Sequence, residues 1–334
     1  MKNIKNKINI AQIGVGYWGP NLLRNFVLSS RFCVKKVIDL SEERQKFVNK
    51  HYPTIPVGND VNIAFDDPDV EAVVIATPVS THYELTLRAI KANKHVLVEK
   101  PMALNVDEIN NIAREASARK VIAMVGHTFL FNQAVRYIKG LIDKNELGEI
   151  RYIYSQRLNL GRIRNDVDAL WNLAPHDVSI IQYWLGDPNP GRVTRVGKDY
   201  VQPGIDDVVF VSIDYPKNVM AHIHVSWLDP QKVRRLTIVG SKKMVVYDDI
   251  AENKVSIFDK GIDPLAILGD NMDYDDPSSL QFNHRSGDVI MPRLEWQEPL
   301  KIEIDHFADC IRAGKECIAG PQHAAKVVEI LSRV

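Results

Sequence analysis

Cysteine is scarce: only Cys33, Cys310 and Cys317 occur in 334 residues. Three scattered thiols make no disulfide framework and point to a reducing compartment. Charge of one sign is missing too, since 42 basic side chains balance 42 acidic ones. That balance argues against nucleic acid or an anionic membrane surface as the main partner. No apolar run approaches the roughly 18 residues of a membrane-crossing helix. The basic start Met1–Lys7 has no apolar stretch behind it, so no signal peptide is expected and the chain reads as cytoplasmic. Repeats and low-complexity tracts are absent as well. What remains is an ordinary globular composition, 45% apolar and 25% charged, long enough for about two domains.

The first 127 residues alternate apolar runs with helical patterns. The runs fall at Ile8–Ile13, Phe32–Leu40, Ala72–Ala76, His95–Val98 and Val121–Val125. Such short continuous runs suit parallel strands covered on both faces. Ser41 before two glutamates marks a helix start, as do the capping-box spacings Thr81/Glu84 and Asn105/Glu108. This alternation predicts an α/β domain over 1–127, with a doubly wound parallel sheet.

The texture changes over 128–334. A helix is expected near 133–142. Period-two alternation then places Val219, Ala221, Ile223, Val225 and Trp227 on one face of a strand, with His222, His224 and Ser226 on the other. Residues 208–215 and 236–247 read alike, the latter with a turn at Gly240-Ser241-Lys242. These features predict an α+β domain with a large, mostly antiparallel, open-faced sheet. A helix over 173–185, a loop over 261–290 and C-terminal helices broken at Gly320-Pro321 complete the reading. Those last helices could pack back on the first domain.

Gly14-Val15-Gly16-Tyr17-Trp18-Gly19 has the spacing G-x-G-x-x-G, follows a predicted strand and opens a helical pattern. In that setting Gly14 permits a tight turn, Gly16 a close backbone approach to a pyrophosphate, and Gly19 tight helix–strand packing. The helix N-terminus then faces the phosphates, with Tyr17 and Trp18 in the same cofactor turn. Asp39 ends the second strand, 20 residues after Gly19. Its carboxylate suits the two ribose hydroxyls of NAD and repels the 2′-phosphate of NADP. Thr77-Pro78 ends a later strand in the crevice where such sheets bind ligands, and its backbone is expected to line the cofactor.

Glu99-Lys100-Pro101 follows the strand His95–Val98 on that same side. A lysine beside a nicotinamide can hydrogen-bond a substrate hydroxyl and carry its proton. Glu99 can orient its ammonium, and the Lys100–Pro101 bond is a candidate for cis. His222 and His224 lie two apart, a spacing metals can use, but no third ligand is near in sequence; no metal site is expected. Cys310 and Cys317 read as core or neutral residues.

Taken together, these motifs resemble the glucose–fructose oxidoreductase / inositol dehydrogenase / MocA family. The resemblance covers nearly the whole chain, including His127–Asn132 at the crossing into the second domain and Glu303–Gly314 near the end. It implies a nicotinamide-dependent enzyme acting on polyols, sugars or nucleotide sugars, with Lys100 catalytic. The family's Asp-x-Gly-x-His pattern is met by Asn172, Ala174 and His176, so only the histidine is retained. Lys100 and His176 are then the expected proton carriers, with the nicotinamide placed between them. Asn172 is left with hydrogen bonding to substrate or N-capping. Leu170–Asp177 resembles a bacterial branch that includes UDP-N-acetylglucosaminuronate 3-dehydrogenases, which implies oxidation of a sugar C3 hydroxyl for surface-polysaccharide sugars. Arg157, Arg162 and Arg164 are candidate readers of a uronate carboxylate or diphosphate. A dTDP-sugar 3-ketoreductase, an inositol-type polyol dehydrogenase and a non-catalytic NAD-binding sensor remain open. The resemblance also implies a homodimer or homotetramer built on the open sheet face.

Overall fold

The computed structural model of the chain describes residues 7–161, 163–264 and 282–333. They divide into two compact units. The first comprises Met1–Gln133, Val178–Asp187 and Trp296–Arg333; the second comprises Ala134–Asp177 and Pro188–Glu295. The first unit is therefore discontinuous in sequence, and its last stretch brings in the C-terminal helices.

In the first unit the strands are β1 (Ile8–Ile13), β2 (Phe32–Ile38), β3 (Val57–Gly58), β4 (Ala72–Ile75), β5 (His95–Val98) and β6 (Ala123–Val125). They form one parallel sheet in the order β3-β2-β1-β4-β5-β6. The order reverses at β1/β4, which opens the ligand crevice of a doubly wound sheet there. Helices α1 (Gly19–Leu28), α2 (Glu42–His51), α3 (Asn62–Phe65), α4 (His82–Lys91) and α5 (Val106–Arg119) fill the crossovers. Every residue of β4 is buried, as a strand covered on both faces requires.

The caps show which local signals are decisive. Asn105 Oδ1 accepts from the Glu108 amide at 2.9 Å, as its spacing predicts. Thr81 does not cap α4. Its hydroxyl instead donates to the Pro78 carbonyl at 2.8 Å and meets Thr77 Oγ1 at 2.7 Å. A short 3-10 turn over Val79–Thr81 offers these closer partners.

The C-terminal helices α8 (Pro299–Ala313) and α9 (Pro321–Ser332) complete this unit. Phe32 of β2 meets Phe26 of α1 edge-on at 4.9 Å and stacks on Phe307 of α8 at 6.3 Å. Helix α5 packs against α9. The predicted break at Gly320-Pro321 is the N-terminus of α9.

Helix α6 (Gln133–Asp143), expected near 133–142, leads into the second unit, which is built on an eight-stranded sheet. Its strands are β7 (Ile150–Leu160), β8 (Val193–Lys198), β9 (Val208–Tyr215), β10 (Val219–Ser226), β11 (Leu228–Gly240), β12 (Met244–Asp248), β13 (Val255–Pro264) and β14 (Phe282–Ile290). They run in the order β14-β13-β12-β11-β7-β10-β9-β8. All neighbours are antiparallel except β7 and β10. Val219, Ala221, Ile223 and Val225 are buried, as their alternation predicts, while Phe210 and Met220 on the opposite face are exposed.

Two expectations are corrected here. The 261–290 stretch is not a loop throughout: β13 continues to Pro264 and β14 begins at Phe282, the residues between lying outside the described ones. The side chains described in β14 are mostly exposed, so polarity does not stop a strand whose backbone pairs with β13. The helix expected over 173–185 is α7 (Ala169–Leu185) and starts four residues earlier. Asp168 caps it, accepting from the Trp171 amide at 2.9 Å. Asn172 is thus inside the helix, its amide donating to the Asp168 carbonyl, and Pro175 is interior rather than at the start. Among the described residues no helix is long and apolar enough to cross a membrane.

Candidate active site

The glycine turn follows directly from β1. Gly14 has φ +92°, and a Cβ there would lie 2.4 Å from the Ala76 carbonyl oxygen. A Cβ on Gly19 would lie 2.5 Å from the Gly14 carbonyl oxygen. Both positions therefore exclude a side chain. Gly16 has nothing within 4 Å of its would-be Cβ, so its backbone borders open space at the N-terminus of α1. Trp18 at the N-cap makes no side-chain cap bond. The helix's first amides thus keep the dipole end that attracts phosphate. Tyr17 is 90% exposed and Trp18 flanks the same opening.

Asp39 closes the turn from β2. One carboxylate oxygen accepts from the Val15 amide at 2.7 Å and the other from the Ser41 amide at 2.9 Å. Each oxygen retains acceptor capacity for a ribose hydroxyl. These glycine clearances and this carboxylate fit a dinucleotide.

Sequence reasoning passed over Gln12. This buried side chain of β1 donates from Nε2 to the Gly14 carbonyl at 3.0 Å and to the Gly19 carbonyl at 2.8 Å. It ties both ends of the turn together. The available signal was a lone amide inside an otherwise apolar strand. His82 was passed over as well. Its Nδ1 lies 2.8 Å from the Pro101 carbonyl and its Nε2 2.8 Å from the Thr77 carbonyl. The ring thereby spans the two loops carrying Thr77-Pro78 and Lys100-Pro101. Burial lowers its pKa, and a neutral ring donates to one of the two carbonyls at a time.

Lys100 and Glu99 sit half-buried at the end of β5, and the Lys100–Pro101 peptide is cis. Glu99 Oε2 accepts from the Lys100 amide at 3.3 Å. Burial pushes the Glu99 carboxyl up to about 7, against the opposing pull of the Lys100 amide and charge. Gly126 makes room for this carboxylate, since a Cβ there would lie 3.0 Å from Glu99 Oε1. Behind it, buried Glu303 accepts from the Thr128 hydroxyl at 2.8 Å. Burial first, and Glu99 next, hold Glu303 well above the usual carboxylate range. Buried His127 is driven well below its usual range by burial, then by His323 and Lys100. Lys100 thus stands among titratable groups that burial shifts strongly, an arrangement typical of proton-handling sites.

The remaining candidates belong to the second unit. Asn172 and His176 lie four residues apart on α7, both partly buried, so they share a helix face. The arginines separate. The strand expected to end near Gln156 runs on to Leu160, so Arg157 lies inside β7, paired with Val225 and Arg234 on either side. Its side chain is 5% exposed and engages Asp177 bidentately, at 2.7 and 3.0 Å. This corrects its assignment as an anion reader: it is half of an interior ion pair. Arg164 is exposed and paired with Asp166 at 2.8 and 2.5 Å. Arg162 lies outside the described residues. His222 and His224 stack with Phe210 at 6.0 and 4.1 Å on the open sheet face.

Sequence reasoning also treated the cysteines as neutral. Cys310 and Cys317 converge with His306, their ligand atoms lying within 4.8 Å of one another. The signal was the spacing His306-x3-Cys310-x6-Cys317, whose last member only the chain reversal after α8 brings back.

A parallel sheet with a glycine turn at its first crossover and an acidic end to β2 defines a dinucleotide-binding protein, here with a second α+β unit. Residues 8–127 match the model of an oxidoreductase family with an NAD-binding Rossmann fold, and residues 135–246 match the GFO/IDH/MocA C-terminal domain. The chain belongs to this glucose–fructose oxidoreductase / inositol dehydrogenase / MocA family. It is 27% identical over 225 residues to a 2,7-anhydro-N-acetylneuraminate hydratase of Mediterraneibacter gnavus, covering 63% of this chain and 59% of the relative. It is 23% identical over 329 residues to scyllo-inositol 2-dehydrogenase (NAD(+)) of Bacillus subtilis, covering 93% and 88% of the two chains. The solved UDP-N-acetylglucosamine 3-dehydrogenase GnnA of Acidithiobacillus ferrooxidans superposes with a TM-score of 0.80 at 22% identity, covering 98% and 96%.

Proposed function

We propose that the chain is an NAD-dependent dehydrogenase that oxidises a secondary hydroxyl of a sugar to a ketone. The observation that carries this reading is the Glu99–Lys100 pair on the cofactor side of the parallel sheet, with Glu99 poised near neutrality. NAD supplies the hydride acceptor. Lys100 donates a hydrogen bond to the reacting oxygen, so the negative charge growing there meets an ammonium. His176 takes the hydroxyl proton, a general-base task that an imidazole nitrogen can perform. Asn172, which cannot titrate, orients the sugar through a neighbouring hydroxyl.

The substrate proposed is a nucleotide sugar reacting at C3, such as UDP-N-acetylglucosaminuronate, in the making of surface-polysaccharide sugars. The sequence Leu170–Asp177 favours it, and the structurally similar GnnA is a 3-dehydrogenase of a UDP-sugar. Arg162 and Arg164 are the remaining candidates for its carboxylate or diphosphate. The Arg164–Asp166 pair is exposed, and such a pair exchanges one anion for another at little cost. A free polyol is the second reading, favoured by the inositol dehydrogenase that aligns over 93% of this chain. We also assign the open face around Phe210 and Met220 to self-association; Phe210→Asp should then lower the sedimenting mass.

The test follows NADH formation with NAD and UDP-N-acetylglucosaminuronate, UDP-N-acetylglucosamine and inositols in turn. Lys100→Ala should bind NAD normally and lose roughly 10²–10³-fold in kcat, the usual worth of one donor aimed at a developing negative oxygen. Near wild-type turnover in that variant would remove the assignment. Unchanged KM in both Arg162→Ala and Arg164→Ala would remove the anion-reading role.

A further inference from the structure

The junction between α8 and α9 holds a cluster that the proposed dehydrogenase chemistry does not use. His306 and Cys310 share a face of α8, four residues apart, and Cys317 returns to them from the following loop. His306 is 4% and Cys310 2% exposed, and Cys317 is half-buried. We propose that His306 Nε2, Cys310 Sγ and Cys317 Sγ form a binding site for one soft divalent cation of the zinc class.

Four observations carry the assignment. The first is the donor set: one imidazole and two thiols are the ligands zinc prefers, and a half-buried third ligand leaves a fourth position for water. The second is spacing. Cys310 Sγ and His306 Nε2 are 3.4 Å apart. A tetrahedral ion with nitrogen at about 2.0 Å and sulfur at about 2.3 Å needs an edge of about 3.5 Å. The third is the tautomer. The Ile318 amide donates to His306 Nε2 at 3.3 Å, so the ring hydrogen is on Nδ1 and Nε2 is the unprotonated nitrogen, as a ligand must be; a bound cation would take over the lone pair that this long amide contact uses. The fourth is charge. Two thiolates, a neutral imidazole and a divalent cation sum to zero, so the loaded site buries no net charge.

The site would serve the fold rather than the chemistry. The same loop accepts a hydrogen bond at its Ala319 carbonyl from the Val125 amide of β6, at 2.9 Å. A cation here would clamp the α8–α9 junction to the end of the dinucleotide sheet.

The test is a cobalt(II) titration of the full chain with NAD present. The expected result is an intense thiolate-to-cobalt charge-transfer band that saturates at one ion per chain and is displaced by zinc. Zinc should also raise the melting temperature. Cys317→Ser and Cys310→Ser should each abolish the band while NAD affinity shows that the dinucleotide unit is folded. Cys33→Ser, which removes an exposed thiol elsewhere, should keep it. No thiolate band in the wild-type chain, or a band that survives Cys317→Ser, would overturn the proposal.

Discussion

Glu99 is a carboxyl group that the fold holds at a pKa of about 7, against 4.5 for the ordinary side chain. A pKa raised on folding means that the folded chain favours the protonated form. The stability it contributes is therefore complete below about 4.5 and is lost as pH rises through about 7. Glu99→Gln removes that loss. The variant should have a flatter profile of melting temperature against pH and gain about 2 kcal/mol over wild type on the alkaline side. A profile with the wild-type slope would show that Glu99 is ionised throughout. Asp39 supplies a second prediction. Hydrogen bonds to a charged acceptor are worth about 1.5–3 kcal/mol each, so Asp39→Ala should weaken NAD by roughly 10–100-fold in titration calorimetry. NADP should be spared, because its 2′-phosphate no longer meets a carboxylate. Equal losses for both cofactors would argue that Asp39 merely holds the Val15 and Ser41 amides. At this scale the sequence was legible where a residue works within its own turn. Asn105 caps as its spacing predicts, and Gly14 and Gly19 occupy positions that exclude a side chain. It was illegible where a partner comes from far along the chain. Nothing near Arg157 announces Asp177, 20 positions away.

Elements are held by side chains that a periodicity reading passes over. Gln12 lies in a strand whose pattern says only that it is buried, yet its amide donates to both ends of the glycine turn. Gln12→Leu keeps the volume and removes both hydrogen bonds to the turn. A hydrogen bond is worth about 0.5–1.5 kcal/mol net, so chemical denaturation should show a loss of about 1–3 kcal/mol. NAD affinity should fall with it, since the turn is no longer pinned. Unchanged stability and affinity would mean that the turn is set by its glycines alone. Helix α7 shows the converse limit. Pro175 beside His176 looks like a first-turn proline, because a helix interior normally rejects it. The helix accepts it because Asp168 caps the start and buried Leu170, Ala174 and Val178 anchor the turns on either side. Tertiary burial outweighs the one lost backbone bond, and no local signal reports that burial.

At the scale of the molecule, the parallel sheet was legible because each of its strands is an uninterrupted apolar run. The extent of the first compact unit was less so. Its glycine turn, Asp39 and Lys100 all precede residue 128, and that stretch reads as a self-sufficient domain. The structure adds α8 and α9 to it from the far end of the sequence. Those helices cover surface that the first 133 residues cannot cover by themselves. Phe307 stacks on Phe32, α9 lies along α5, and buried Glu303 sits behind Glu99 and Thr128. Two ion pairs at the rim, Arg24–Glu298 at 2.5 Å and Arg31–Asp309 at 2.6 Å, follow the same seam. Exposed pairs like these add little, so the stacked aromatics and apolar helix faces supply most of the stability. A fragment ending at residue 133 should therefore keep much of its helical far-ultraviolet signal, lose its near-ultraviolet aromatic signal and bind a hydrophobic dye. Adding residues 296–334 as a separate peptide should restore the aromatic signal and NAD binding together. A 1–133 fragment that binds NAD with full affinity and unfolds cooperatively would show instead that the dinucleotide fold closes its core without α8 and α9.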